Sequence, residues 1–322
     1  MPQNLAHAVA EEPGDRQHHS KETAVDAGTS GDASTTGASP REDVVDRLGR
    51  SDEPGLLTRI VQVLVGPSFV MTWFRRSLAL ALGVIVWHFA VANDFNWYVN
   101  FENVAAPSEV WASLMKQLSG SMFYKHIAVS MQRIVIAYAL AAVVGISLGL
   151  VMGRSRLAND LVMPFVELFR PIPAVAWIPL AILMWPTEEG SIIYITYLGA
   201  LFPIILNTVS GVEQTPEVLV RAARSLGAGR MQIFRHVVLP AALPNIATGL
   251  AVGMGVAWFS LLAGEIISGQ YGIGYFTWTA YHLIKYDDII VGMLTIGLLG
   301  TASTLAVRLL MAPFLKWQRK AR

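Results

Sequence analysis

Long apolar stretches separated by short polar ones dominate the chain from residue 77 onward. Charge-free runs occur at Ser77–Asn93, Ile134–Gly153, Ser191–Val212, Leu239–Gly264 and Ile289–Val307. An α-helix rises 1.5 Å per residue, so the ~30 Å hydrocarbon core of a bilayer needs about 20 such residues. Each run therefore predicts a membrane-spanning helix. A sixth stretch, Leu161–Pro186, is as apolar but carries Glu167, Arg170 and five prolines at positions 164, 171, 173, 179 and 186. Proline removes a backbone donor and clashes with the preceding turn, so this segment predicts a kinked or broken span held among other helices. The pattern as a whole predicts an all-α membrane protein with six transmembrane helices.

Within the second span Ala141, Gly145, Gly149 and Gly153 recur at every fourth position, along one helix face, and Gly249 and Gly253 repeat the spacing in the fifth. Small residues let helix backbones approach closely, so these stripes predict packing faces of a tight bundle.

Composition agrees. Of the 322 residues 53% are hydrophobic and 15% charged, against about 25% charged in soluble domains. The net charge of +1 conceals a split: residues 1–56 hold 5 basic and 11 acidic residues, leaving 19 basic and 12 acidic residues, a net +7, for the rest. The 1–56 segment has almost no aromatic or large apolar side chains, so it cannot bury enough surface to offset chain entropy and is expected to be a disordered tail. Met1–Pro13 carries Glu11 and Glu12 and no apolar run, which does not fit a secretory signal. The tail is thus expected to stay on the cytoplasmic side. The adjacent His18 and His19 read as solvated tail residues rather than metal ligands. The absence of cysteine excludes disulfides, thiolate metal sites, iron–sulfur clusters and cysteine nucleophiles.

Lysine and arginine set the orientation, because positive loops stay cytoplasmic. Arg75 and Arg76 precede the first span, Arg154 and Arg156 follow the second, Arg221, Arg224, Arg230 and Arg235 lie between the fourth and fifth, and Lys316, Arg319, Lys320 and Arg322 end the chain. All four clusters fall on one side of a six-span topology, with both termini cytoplasmic. The other side receives Lys116, Lys125 and Lys285 with Asp94, Glu102, Glu109, Glu188, Glu189, Asp287 and Asp288.

The long polar insertion between spans four and five, Glu213–His236, predicts a short helix: Thr215 as N-cap, Pro216 at the first helical position, Glu217 in the first turn and Gly227 just past the end. Leu219, Ala222, Ala223 and Leu226 follow the i, i+3, i+4, i+7 spacing of an apolar face, while Arg221 and Arg224 point elsewhere. Such a helix suits either a protein partner or the lipid headgroups, and periodicity alone leaves both open.

The run Arg221-Ala222-Ala223, three residues, Gly227, nine residues, Val237-Val238-Leu239-Pro240 resembles the EAA loop of permease subunits of bacterial ABC importers, whose pattern is E-A-A, three residues, G, nine residues, I, any residue, L-P. Arg221 stands in place of the usual Glu and Val237 in place of Ile. Arginine at the first position, within Ala222-Ala223-Arg224-Ser225-Leu226-Gly227-Ala228, resembles the branch that imports sulfonates, taurine, nitrate or bicarbonate. Leu168–Leu180, with its Arg170-Pro171-Ile172-Pro173 core, is similar to the proline-rich third-span signature of that branch. Gly264-Glu265 with Gly272-Ile273-Gly274-Tyr275-Phe276 is similar to its loop after span five. The resemblance covers about Phe123–Leu315.

Other classes fit less well. None of the six lysines, at 21, 116, 125, 285, 316 and 320, follows a glycine, so no phosphate-binding Gly-Lys-Ser/Thr loop exists and the chain is not expected to be the ATPase. His88, His126, His236 and His282 are scattered, unlike a metallohydrolase site. His88 reads as a polar packing residue. An ion-coupled secondary transporter would need ionisable groups near the midplane. Glu167 and Arg170 stand three apart and can neutralise each other, and Glu265 is near the outer end of its span, where it is either solvated or lines a pathway. Arg170 and Glu265 are the candidate pathway residues.

Composition and the apolar pattern give a tail (1–56), a first transmembrane helix with an external segment (57–122) and a basic cytoplasmic C-terminus (316–322), and the resemblance implies that the five spans between (123–315) are a permease core in a bacterial inner membrane. It implies an ATP-binding subunit dimer that receives the loop Arg221, Ala222, Ala223, Arg224, Gly227, Leu239 and Pro240. It further implies an extracytoplasmic solute-binding protein, pairing as a homodimer, and a small oxyanion as cargo. No cofactor, metal or nucleic acid is expected; the remaining partner is membrane lipid.

Overall fold

The computed structural model describes residues 67–93 and 103–315. The expected tail 1–56 with His18 and His19, the acidic Asp94 and Glu102, and the basic C-terminus 316–322 lie outside the described residues. Every regular element described is helical: α1 (Pro67–Ala92), α2 (Pro107–Ser119), α3 (Ser121–Arg154), α4 (Arg156–Phe169), a 3₁₀ turn (Ala174–Trp177), α5 (Ile178–Met184), α6 (Glu188–Glu213), α7 (Glu217–Ser225), α8 (Arg230–Ile233), a π turn (Phe234–Val238), α9 (Leu239–Ser268), α10 (Ile273–His282), α11 (Tyr286–Met311) and a closing 3₁₀ turn (Ala312–Leu315). Among the described residues five helices are long and apolar enough to cross a bilayer, and the bent pair Arg156–Phe169 and Ala174–Met184 makes a sixth if counted as one span.

That pair bends by 88°. The cause is in the sequence: Pro171 and Pro173 both lack the N–H that a continuing helix would use. The chain recovers only through the 3₁₀ turn before α5.

Helix α6 is the centre of the bundle, packed between α3 and α9. The small-residue stripe is the reason it fits. A Cβ placed on Gly149 would stand 2.6 Å from the Cβ of Thr208, one on Gly153 2.6 Å from that of Val212, and one on Gly145 2.8 Å from Ile204. Gly253 comes against the same Ile204 from the α9 side, where an added Cβ would lie 3.0 Å away. Ile204 thus fills the contact between three helices, and Ala141, Ala200, Ala242 and Ala257 extend this dry seam with no exposed surface.

The helix ends run further than the apolar runs. α1 starts at Pro67 rather than Ser77, so Arg75 and Arg76 lie within it, and α11 starts at Tyr286 rather than Ile289. A helix satisfies its own backbone and need not stop where the hydrocarbon does. The segment before the second span holds α2, which the apolar pattern did not announce. Its place is fixed by Asp288, which accepts from Ser113 Oγ at 2.6 Å and Gln117 Nε2 at 2.8 Å and so ties α2 to the start of α11.

Candidate functional site

At one end of the bundle α3, α6 and α11 finish and α4 and α9 begin, and the loop between α6 and α9 crosses that end as α7 and α8. Helix α7 begins at Glu217, with Pro216 rather than Thr215 in the cap position. The backbone closes the turn itself, Leu219 N donating to the Pro216 carbonyl at 3.1 Å and Thr215 N to Val212 at 3.2 Å. The Thr215 hydroxyl is buried and, among the described residues, has no hydrogen-bond partner.

The other end of α7 is closed by a Schellman motif. Gly227 has φ +82°; its N–H donates to the Arg224 carbonyl at 3.0 Å, and Ala228 N–H reaches back to Ala223 at 3.1 Å. This is the 6→1 and 5→2 pattern that requires a left-handed residue, normally glycine. It accounts for the spacing Ala223, three residues, Gly227: the alanine carbonyl is the acceptor and the glycine makes the turn. Nothing stands within 4 Å of a Cβ on Gly227, so conformation, not space, demands glycine here.

The apolar residues of α7 divide between two faces. Val220 and Ala223, with Ala228 beyond the turn, pack against the bundle core. Leu219 and Ala222 stay exposed on the opposite side, joined by Val218 at 65%, Leu226 at 87% and Met231 at 75% exposure. Arg221 and Arg224 are exposed as well. The predicted single face is therefore one anchor, Ala223, and three residues left uncovered. Leu239-Pro240 marks where the π turn gives way to α9: Leu239 N–H donates to the Phe234 carbonyl five residues back. The second half of the loop and the long membrane helix are thus one continuous rod from Arg230 to Ile267.

Of the two pathway candidates, Arg170 caps α4 where the broken span bends. It lines a cavity of about 500 Å³ with Pro171, Trp177, Gly199, Phe202 and Val256. Fourteen residues of α4 place Arg170 about 21 Å from that helix's start, and Gly199 and Phe202 stand near the middle of α6. Glu167 is exposed, and among the described residues no ion pair joins it to Arg170; the span bends just past Arg170.

Glu265 sits at the opposite end of the bundle, wholly buried. Ser130 Oγ donates to its Oε1 at 2.7 Å, Arg133 Nη1 to the same oxygen at 3.0 Å and Gly274 N to Oε2 at 2.9 Å. Gly272, at φ +125°, passes directly over this carboxylate, and a Cβ there would collide with it. Its N–H donates to His126 Nδ1 at 3.1 Å. The Gly264-Glu265…Gly272-Ile273-Gly274 sequence is thus a loop folded over a buried acid rather than a solvated one. Sequence reasoning missed Arg133, which adjoins the second apolar run and binds Glu265, Glu189 and the Tyr271 carbonyl at once. The available signal was charge: a lone arginine beside a span, on the side otherwise rich in acids.

Comparison with known proteins finds relatives of this chain. Residues 141–320 match the model of the family described as binding-protein-dependent transport system inner membrane component. A nitrate import permease protein of Synechocystis is 30% identical over 235 residues, 70% of this chain and 83% of that one. A taurine transport system permease protein of Escherichia coli is 35% identical over 194 residues, 60% of this chain and 70% of that one. A bicarbonate transport system permease protein of Synechococcus elongatus is 35% identical over 204 residues, 63% of this chain and 70% of that one.

Proposed function

The chain belongs to the family of binding-protein-dependent transport system inner membrane components and is the permease subunit of an ABC importer, and from that premise we propose that it imports a small oxyanion and takes its driving force through α7. An ATP-binding subunit and a solute-binding protein go with membership of this family. The finer reading is that two copies of the chain pair, that both termini are cytoplasmic, and that Arg221, Ala222, Ala223, Arg224, Gly227, Leu239 and Pro240 form the element that meets the ATPase.

The observation that carries this reading is the uncovered face of α7. A short helix anchored by Val220 and Ala223, capped at Gly227 and exposing Leu219, Ala222 and Leu226 is built to be covered. Through the Gly227 turn α7 joins a rod of α8, the π turn and α9 that runs unbroken from Arg230 to Ile267, so a shift of α7 is handed to a membrane helix across that one turn. Closure of the ATPase pair on nucleotide can bias the bundle only through contacts that differ between its two states, and this rod supplies such a contact. The cargo follows from relatives named for nitrate, taurine and bicarbonate, each bearing an anionic oxygen group, and from Arg170 in the cavity at the bend. A cation at that depth in a membrane is expensive unless it faces water or an anion.

The test is uptake by vesicles holding the permease, its ATPase and its binding protein. Labelled nitrate, taurine or bicarbonate is taken up in an ATP-dependent manner, and glucose or lysine is not. Uptake of glucose or lysine in place of all three solutes that bear an anionic oxygen group would overturn the cargo assignment.

A further inference from the structure

Behind that element Arg224 meets two further arginines, Arg154 and Arg230, that have no role in that account. Beneath α7, on the side away from its uncovered face, lies a crevice of about 340 Å³ between α7 and the ends of α3 and α6. Arg154, Arg224 and Arg230 line it together with Thr215, Val220 and Ile233, and no carboxylate does. Among the described residues no ion pair engages any of the three guanidinium groups. The buried Thr215 hydroxyl, which lines the same crevice, lacks a partner too.

Helix ends explain part of this. Arg154 is in the last turn of α3 and Arg224 in that of α7, where a cation complements the helix dipole. Arg230 opens its helix, the end at which a cation is unfavourable. Three like charges around one crevice repel one another, and an unmatched buried hydroxyl costs free energy. One small anion resolves both. We propose that this crevice is a binding site for a small oxyanion on the loop side of the permease, held by Arg154, Arg224 and Arg230 with the Thr215 hydroxyl as a further donor. An oxygen-rich anion suits this donor set, since guanidinium forks match planar or tetrahedral oxygen groups. Bound there, it ties the body side of α7 to the ends of α3 and α6 and fixes the helix's angle while leaving Leu219 and Leu226 free. The same chemistry is offered by inorganic phosphate and by the imported solute once inside, the latter giving feedback on import.

The probe is radiolabelled sulfate, bound to the full permease–ATPase complex in lipid nanodiscs with the ATPase sites saturated with ADP. The expected result is one saturable site per permease chain. Arg154→Gln is expected to weaken it about tenfold or more, as loss of a charged hydrogen bond implies; Thr215→Val weakens it less, and Arg154→Lys largely restores it. Arg156→Gln, which alters an arginine outside the crevice, serves as the control and leaves binding unchanged. Displacement by inorganic phosphate but not nitrate, taurine or bicarbonate identifies phosphate as the occupant, and displacement by one of those solutes identifies feedback by cargo. Either supports the site. Binding that is absent, displaced by neither class, equal in Arg154→Gln and the unaltered chain, or lost equally in Arg156→Gln overturns it.

Discussion

Arg133 Nη1 lies 3.0 Å from Glu265 Oε1, with 3% and 0% of their side chains exposed, and the Nε of the same guanidinium holds Glu189 at 2.7 Å. One arginine on α3 thereby joins the start of α6 to the end of α9. Removing one partner of a buried pair leaves an uncompensated charge at a cost of about 3–5 kcal/mol. Arg133→Met or Glu265→Leu is expected to destabilise the folded permease by that order, while Arg133→Met with Glu265→Leu recovers much of the loss. Glu189 is 58% exposed, so Glu189→Gln costs about 1 kcal/mol or less. Thermal unfolding in nanodiscs measures the order; Glu189→Gln as damaging as Arg133→Met would show that the buried arm does not dominate.

The turn from α10 to α11 repeats the chain geometry of Gly227 with the wrong residue for it. Ile284 has φ +57°, and Lys285 N–H donates to Ala280 at 3.0 Å while Ile284 N–H donates to Tyr281 at 3.1 Å. A β-branched residue there carries strain of about 1–2 kcal/mol. Ile284→Gly is expected to stabilise the protein by about 1 kcal/mol, seen as a higher unfolding temperature. A lower one would mean that the exposed isoleucine makes a contact worth more than its strain.

Arg170 is expected to serve the cargo rather than the fold, since it is exposed in a cavity and, among the described residues, forms no ion pair. Arg170→Gln is expected to lower oxyanion uptake about tenfold with ATPase association intact, and Arg170→Lys to retain part of it. Unchanged uptake in Arg170→Gln would remove it from the pathway.

How far these features could be read from the chain depends on what makes them. The broken span was legible because Pro171 and Pro173 forbid a continuous helix whatever surrounds them. The Gly227 turn was legible because a positive φ is a local demand. The cap was not: Thr215 and Pro216 both suit a helix start, and tertiary packing chose the proline and buried the threonine. The depth of Glu265 was invisible for a different reason. An acid at the end of an apolar run looks solvated unless its partners, Ser130, Arg133 and the Gly274 amide, are known to converge on it from 9 to 135 residues away. The split of the α7 face likewise depends on where the bundle lies, which spacing does not encode.

Topology can be tested on a chain that has no native cysteine. Glu188→Cys at the start of α6 and Ser225→Cys at the end of α7 are expected to react with impermeant thiol reagents from opposite sides, the former outside and the latter inside. Reaction of both from one side would end the six-span topology with cytoplasmic termini.

The central claim is that α7 meets the ATPase at an angle set by Gly227. With open space around it and φ +82°, any other residue strains the turn by about 1 kcal/mol, asparagine least. Gly227→Val and Gly227→Asp are made in parallel, because an acid beside Arg224 can mask its own effect, with Gly227→Asn as the tolerated variant. The measurement is ATP-driven uptake in vesicles alongside co-purification of the ATPase. Inserted, folded Val and Asp variants that lose ATPase association or hydrolyse ATP without transport, with Asn near normal, are the predicted result. Normal transport by both with the ATPase fully associated would contradict the account and leave α7 a helix lying on the lipid headgroups.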